Sequence, residues 1–234
     1  MEKRLYALWQ RPTQTGDDFR DALLKELSPQ LAALESLHGI RLAVADSEVA
    51  SAAMRRMATH QPLPGALLSL WVNPAGAAAD WEPLIDGCVE RRSGYLVEES
   101  EPLASRQRHP ALPGERVFGM CQVVFLRKPP KLARDEWLSI WQGSHTPIAI
   151  ETQATFGYRQ NAVVRELDEH ALPFDAIVEE NFPPEAMASD HAFYATGGDD
   201  GLLQQRMTTM LESCARFIDF EHIDVIPMSE YCIK

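Results

Sequence analysis

Apolar runs of five to ten residues, set off by polar loops, alternate along the chain with segments of helical period. In the first half "RLYALWQ", "GIRLAVAD", "GALLSLWV" and "RSGYLVEES" read as strands. "DDFRDALLKELSPQLAAL" reads as a helix capped by Asp17 or Asp18, with Phe19, Leu23, Leu27, Leu31 and Leu34 on its face. "SEVASAAMRRMATHQ" and "DWEPLIDGC" add shorter helical segments.

The second half repeats the order more cleanly. "MCQVVFLRK" is a strand, and "RDEWLSIWQGSH" carries Trp137, Ile140 and Trp141 at helical spacing. "TFGYRQNAVV" and "FDAIVEENF" are strands. "GLLQQRMTTMLESCARFI" puts Leu203, Met207, Met210, Leu211, Cys214, Phe217 and Ile218 on one stripe, and "FEHIDVIPM" closes the series. The second half thus reads β-α-β-β-α-β, the ferredoxin-like order, and the first half repeats it less cleanly, with the helical "SEVASAAMRRMATHQ" where the second half has only a loop. The expected fold is α+β, with two tandem ferredoxin-like units packing sheet to sheet as an intrachain barrel and a pocket between sheets and helices. The boundaries are 1–100 for a divergent first repeat, 101–116 for a linker with three prolines and a glycine, and 117–234 for the second repeat. Arg11-Pro12 before Asp18-Phe19, against Arg127-Lys128-Pro129 before Glu136-Trp137, is a local echo of duplication.

Composition narrows the partners. Of 234 residues 45% are hydrophobic, enough for a sizeable core, and 22 basic against 34 acidic side chains leave a formal charge of −12. That charge repels phosphate backbones and anionic lipid, so neither nucleic acid nor membrane is an expected partner. The N-terminal segment lacks an apolar signal core and no run approaches a membrane span, so a cytoplasmic protein, monomer or homodimer, is expected. Cys88, Cys121, Cys214 and Cys232 are far apart and read as reduced thiols, buried or half-buried. There is no GxSxG, Walker loop, HExxH or dinucleotide fingerprint, and the seven histidines are dispersed. Neither a cofactor nor a metal is expected.

The candidate chemistry centres on "WLSIWQGSHTP". Trp137, Trp141 and His145 share one helical stripe, and Pro147 is expected to end or kink the helix around His145. An imidazole there either serves as a general acid or base near neutral pH or caps the last carbonyls of its helix. Tyr158 and Gln160 share one face of their strand, where Tyr158 either orients a substrate oxygen or packs in the core. Asp175 and Glu179 share a strand face, as partners for His145 or Arg159; folding is also expected to be able to bring His222 beside His145.

With these motifs in place the second half resembles the EthD family of the dimeric α+β barrel superfamily, over roughly Val117 to Pro227. The resemblance rests on the basic-Pro strand end, the Trp141-to-His145 helix, the Tyr158-to-Asn161 strand and the Asp175-to-Glu179 strand. It implies a barrel of two ferredoxin-like units. It also implies one active site per chain, in the second repeat, because the first repeat has Leu27-Ser28-Pro29 where the second has His145. On this reading the protein is a cofactor-independent isomerase, cyclase or lyase acting on a small oxygenated cyclic or aromatic substrate. His145 and Tyr158 are its catalytic residues, and Trp141, Asn161, Phe182 and Arg127 contact the substrate. The alternatives are a non-catalytic small-molecule carrier or accessory protein of an oxygenase system, and a haem protein, which would be coloured.

Overall fold

A computed structural model describes residues 1–74, 77–169 and 171–234. The strands are β1 (Glu2–Trp9), β2 (Leu37–Val44), β3 (Ala66–Val72), β4 (Arg91–Leu103), β5 (Met120–Leu126), β6 (Gly157–Glu166), β7 (Ala176–Phe182) and β8 (Ile223–Cys232). They close into one antiparallel barrel in the order β1-β3-β2-β8-β5-β7-β6-β4. Each expected strand is present within a few residues of its expected ends. The two groups of four face one shared interior, to which both contribute apolar side chains. They join edge to edge, β2 to β8 and β4 to β6, because closure pairs every edge that stacking would leave open.

The helices are α1 (Gly16–Ala22), α2 (Ser28–Ala32), α3 (Glu82–Cys88), α4 (Arg134–Leu138), α5 (Thr146–Thr152), α6 (Asp190–Phe193) and α7 (Asp200–Cys214), and the expected helix after β2 is a 3-10 segment, Ser47–Arg55. They cover the outside of the barrel. One apolar core lies under α1 to α3, around Phe19, Leu23, Leu27 and Trp81, and another lies under α4, α5 and α7, around Trp137, Trp141, Tyr158 and Phe217. A third fills the barrel with Leu5, Tyr95, Val123, Phe125, Ile177 and Ile226. Strands buried on both faces read in sequence as unbroken apolar runs.

The helix bearing His145 does not end at Pro147. A π turn, Ser139–His145, joins α4 to α5, and the chain stays helical to Thr152. In a regular α-helix the proline ring would meet the carbonyl four residues earlier; the wider turn relieves this. The Thr146 N–H bonds instead to the Trp141 carbonyl, which the Thr146 hydroxyl also meets at 3.0 Å. The first half has the same device: a π turn, Leu23–Leu27, precedes Ser28-Pro29, and the Ser28 hydroxyl donates to the Leu23 carbonyl at 2.8 Å.

Two further expectations need correction. The segment 101–116 is not wholly a linker, since β4 runs to Leu103 and pairs with β6 there, with an irregularity between Ser100 and Leu103 that accommodates Pro102. The stripe on α7 is not uniformly buried: Met210 is, but Met207 is 38% and Leu211 63% exposed. Gly119, at φ +75°, turns the chain into β5 where any side chain would strike the Phe182 carbonyl. All four cysteines are free thiols, Cys121 buried and the rest half-buried. Among the described residues no helix is long and apolar enough to cross a membrane.

Candidate active site

A cavity of about 470 Å³ lies between the outer face of β5 to β8 and the helices of the second half. Its floor is Gln122, Val124, Leu126, Tyr158, Val178, Glu180, Ile223 and Val225, and its walls include Trp141, His145, Phe193, Tyr194, Met207, Met210, Leu211, Cys214 and Phe217. Strand register puts three polar side chains in one row across this floor. Glu180 of β7 lies directly opposite Gln122 of β5 on one side and Tyr158 of β6 on the other.

Glu180 is 8% exposed, and no described side chain or backbone group hydrogen-bonds its carboxyl. Burial alone pushes that carboxyl up to about 7. The Tyr158 hydroxyl beside it accepts a hydrogen bond from Trp141 Nε1 at 3.2 Å. Burial, and then Glu180, raise the Tyr158 hydroxyl far above its ordinary value, so it stays protonated. Cys214 is raised to about 12, again chiefly by burial, and is a thiol wall rather than a nucleophile.

His145 lines the cavity with its ring 4.6 Å from that of Phe217 and Nδ1 2.9 Å from the Ser213 hydroxyl. Burial, with the Arg216 charge second, lowers it to about 4. Its imidazole is therefore neutral through the physiological range and is not a cap on its helix. We expect proton NMR of the His145 ring to show no titration from pH 5.5 to 8; a midpoint above 6 would show that water or a countercharge reaches the ring.

The structure sorts the sequence candidates by strand face. Trp141, His145 and Tyr158 converge on the cavity. Asn161 does not: it is on the opposite face of β6 from Tyr158, inside the barrel, where its Nδ2 donates to the Ile177 carbonyl and to Glu179. Phe182 lies behind the wall, stacked on Phe193 at 4.3 Å within a cluster of Val49, Ala52, Met120 and Met187. Arg127 is beyond the end of β5, its backbone bonded to His222 and Asp219, and does not line the cavity. Of the acids proposed beside His145, Glu179 points into the barrel and pairs with Arg159 at 3.2 Å, while Asp175 receives the Lys128 N–H. His222 stacks against His60 instead.

The barrel interior is plugged at one end by charge. Arg159, 1% exposed, meets Glu179 at 3.2 Å and Glu230 at 2.5 Å; Lys3 meets Glu179 at 3.2 Å and Arg41 meets Glu230 at 2.8 Å. Burial opposes ionisation of both glutamates, but Arg159, aided by Lys3 at Glu179 and Arg41 at Glu230, holds both below the usual carboxylate range. Sequence reasoning passed over Glu180, the one acid that lines the cavity among the described residues. In "VEENF" two adjacent glutamates look alike, and only the two-residue period of β7 separates one that is paired from one that is not. Among the described residues no group of three or more His, Cys, Asp or Glu is placed to hold a metal.

No family model and no curated protein sequence matches the chain. Solved structures do. An anthrone oxidase-like protein superposes with a TM-score of 0.52 at 12% identity, covering 99% of this chain and 92% of that one. A chlorite dismutase-like protein gives 0.50 at 12% identity, covering 97% and 95%. A monooxygenase-like protein from Lactobacillus acidophilus NCFM gives 0.47 at 7% identity, covering 98% and 93%. The first two likenesses show that this chain shares the overall fold of those structures, here an eight-stranded closed antiparallel barrel.

Proposed function

We propose that the cavity binds a small oxygenated molecule with a flat apolar body and that Glu180 moves a proton on it. The observation that carries this reading is a carboxyl buried without a partner, facing the cavity and balanced near neutral pH. At that balance the group can take a proton from an acidic C–H or O–H and return it elsewhere on the same molecule, so an isomerisation, cyclisation or elimination needs no further reactant. Tyr158, held protonated beside Trp141, donates to the substrate oxygen on which charge develops. Neutral His145 is a second hydrogen-bonding wall group, and Trp141 and Phe217 supply apolar faces.

The duplication is part of the same proposal. The strand orders β4-β1-β3-β2 and β8-β5-β7-β6 match, and the π turns before Ser28-Pro29 and Thr146-Pro147 put Leu27 where the second half has His145. Two ferredoxin-like repeats, the second EthD-like and chemically equipped, account for both. A haem would need a ligand on this wall. Among the described residues His145 is the histidine that lines the cavity; with Nδ1 engaged by Ser213 only its Nε2 would be left to hold an iron, and the acid–base reading uses no such group, so we derive no step through a haem.

The test is mass-spectrometric, with wild type and Glu180→Gln incubated with lactones, phenolic acids and polyketide-like aromatics. Conversion by wild type, slowed about 10²- to 10⁴-fold in the variant, is expected. Equal conversion by both overturns the role of Glu180, and binding without conversion by wild type makes the protein a carrier.

A further inference from the structure

Among the described residues nine large apolar side chains stay exposed, and four of them meet at the cavity mouth, while Met1, Met54, Leu112, Phe118 and Val164 lie away from it. The four are Met57 (43%), Met207 (38%), Leu211 (63%) and Phe220 (41%), and all line the cavity itself. They come from separate parts of the chain: the segment after the 3-10 turn, α7, and the turn before β8. A helix face left over from imperfect packing would not assemble such a collar from three segments. Exposed apolar surface of this kind marks a place that something covers.

The collar is continuous with the cavity floor, which begins at Glu180, Gln122 and Tyr158 and becomes wholly apolar through Val178, Val124 and Val225. The strand floor therefore loses polarity from the Glu180 row to the Val178 row, while Arg55, Gln153, Gln204 and Thr208 add polar groups to the walls. A second copy of the chain is a poorer cover, since each copy carries −12 and the two would repel. Resting on the acid–base reading above, we propose that the ligand is an amphiphile: its oxygenated head meets Glu180 and Tyr158, and an unbranched apolar tail runs out past Met207, Leu211 and Phe220.

The tail is tested separately from the head by calorimetric titration with para-alkylphenols, from methyl to hexyl. Burying each added methylene against the collar is worth ~0.8 kcal/mol, so the affinity is expected to rise about fourfold per carbon until the chain clears the mouth. In Leu211→Ser, a surface change that spares the core, the gain per carbon should fall for the longest members. Affinity that is flat or falls with length, while methylphenol binds, overturns the amphiphile and leaves the acid–base reading standing. Failure of every phenol to bind overturns both. Concentration-dependent dimers that Leu211→Ser dissociates, with an unchanged gain per carbon, would assign the collar to a second copy and overturn the proposal.

Discussion

Arg159→Met is expected to destabilise the protein by about 3–5 kcal/mol, measured as the shift of the urea or guanidinium midpoint at pH 7. The shape of the side chain is nearly kept, so the loss comes from charge. Glu179 and Glu230 would remain inside the barrel, 2% and 1% exposed, with Lys3 and Arg41 as their surviving cations. Desolvation that Arg159 now offsets would fall on the folded state alone. Replacing Glu179 as well, as Arg159→Met with Glu179→Leu, should recover much of the loss, because removing both charges also removes the unpaired one. A double variant no more stable than the single one would show that Arg159 acts through packing.

The pH dependence fixes the sign. In the wild type both glutamates have folded-state values below their unfolded ones, so the stability they contribute is present above about 4.5 and is lost as pH falls through the folded values. In Arg159→Met their folded values rise, and the variant regains protons, and stability relative to wild type, on acidification. The gap between the two proteins should therefore narrow from pH 7 toward pH 4.

Glu180→Gln should have the opposite signature. Its folded value is raised, from 4.5 to about 7, so the stability tied to its protonated form is complete below about 4.5 and is lost as pH rises through 7. Relative to the variant, the wild type should lose about 3 kcal/mol between pH 4 and pH 9. With a converted substrate in hand, the wild-type rate should bend near pH 7, and Glu180→Gln should abolish that bend along with most of the rate. A rate profile unchanged in Glu180→Gln would assign the proton step to another group, and parallel stability curves would show that Glu180 is hydrated.

The strands were legible because a barrel wall buried on both sides needs β-branched and apolar residues in sequence, and "MCQVVFLRK" or "GALLSLWV" has them. The helix face of Trp137, Trp141 and His145 was legible for the same reason of period. What could not be read was which side of each strand faces which core. Tyr158 and Asn161, three apart, went to different compartments, and Glu179 and Glu180, adjacent, went to an ion-pair network and an open cavity. The π turn was hidden because Pro147 signals a disrupted α-helix without saying how the chain repairs it. On α7 the stripe of Met207 and Leu211 had the right period for burial, but the helix leans on Met210 and Ser213 and leaves the other two at the mouth.

Closure of the barrel has a consequence for how the chain can be divided. Severed between β4 and β5, it would yield two pieces, each with two naked strand borders: β2 and β4 on one, β6 and β8 on the other. The borders are complementary in pairs, β2 to β8 and β4 to β6, with registers already written in their side chains. Each piece would thus be a poor solo protein and a ready mate for the other, and the connection between them sets their local concentration more than it sets their shape.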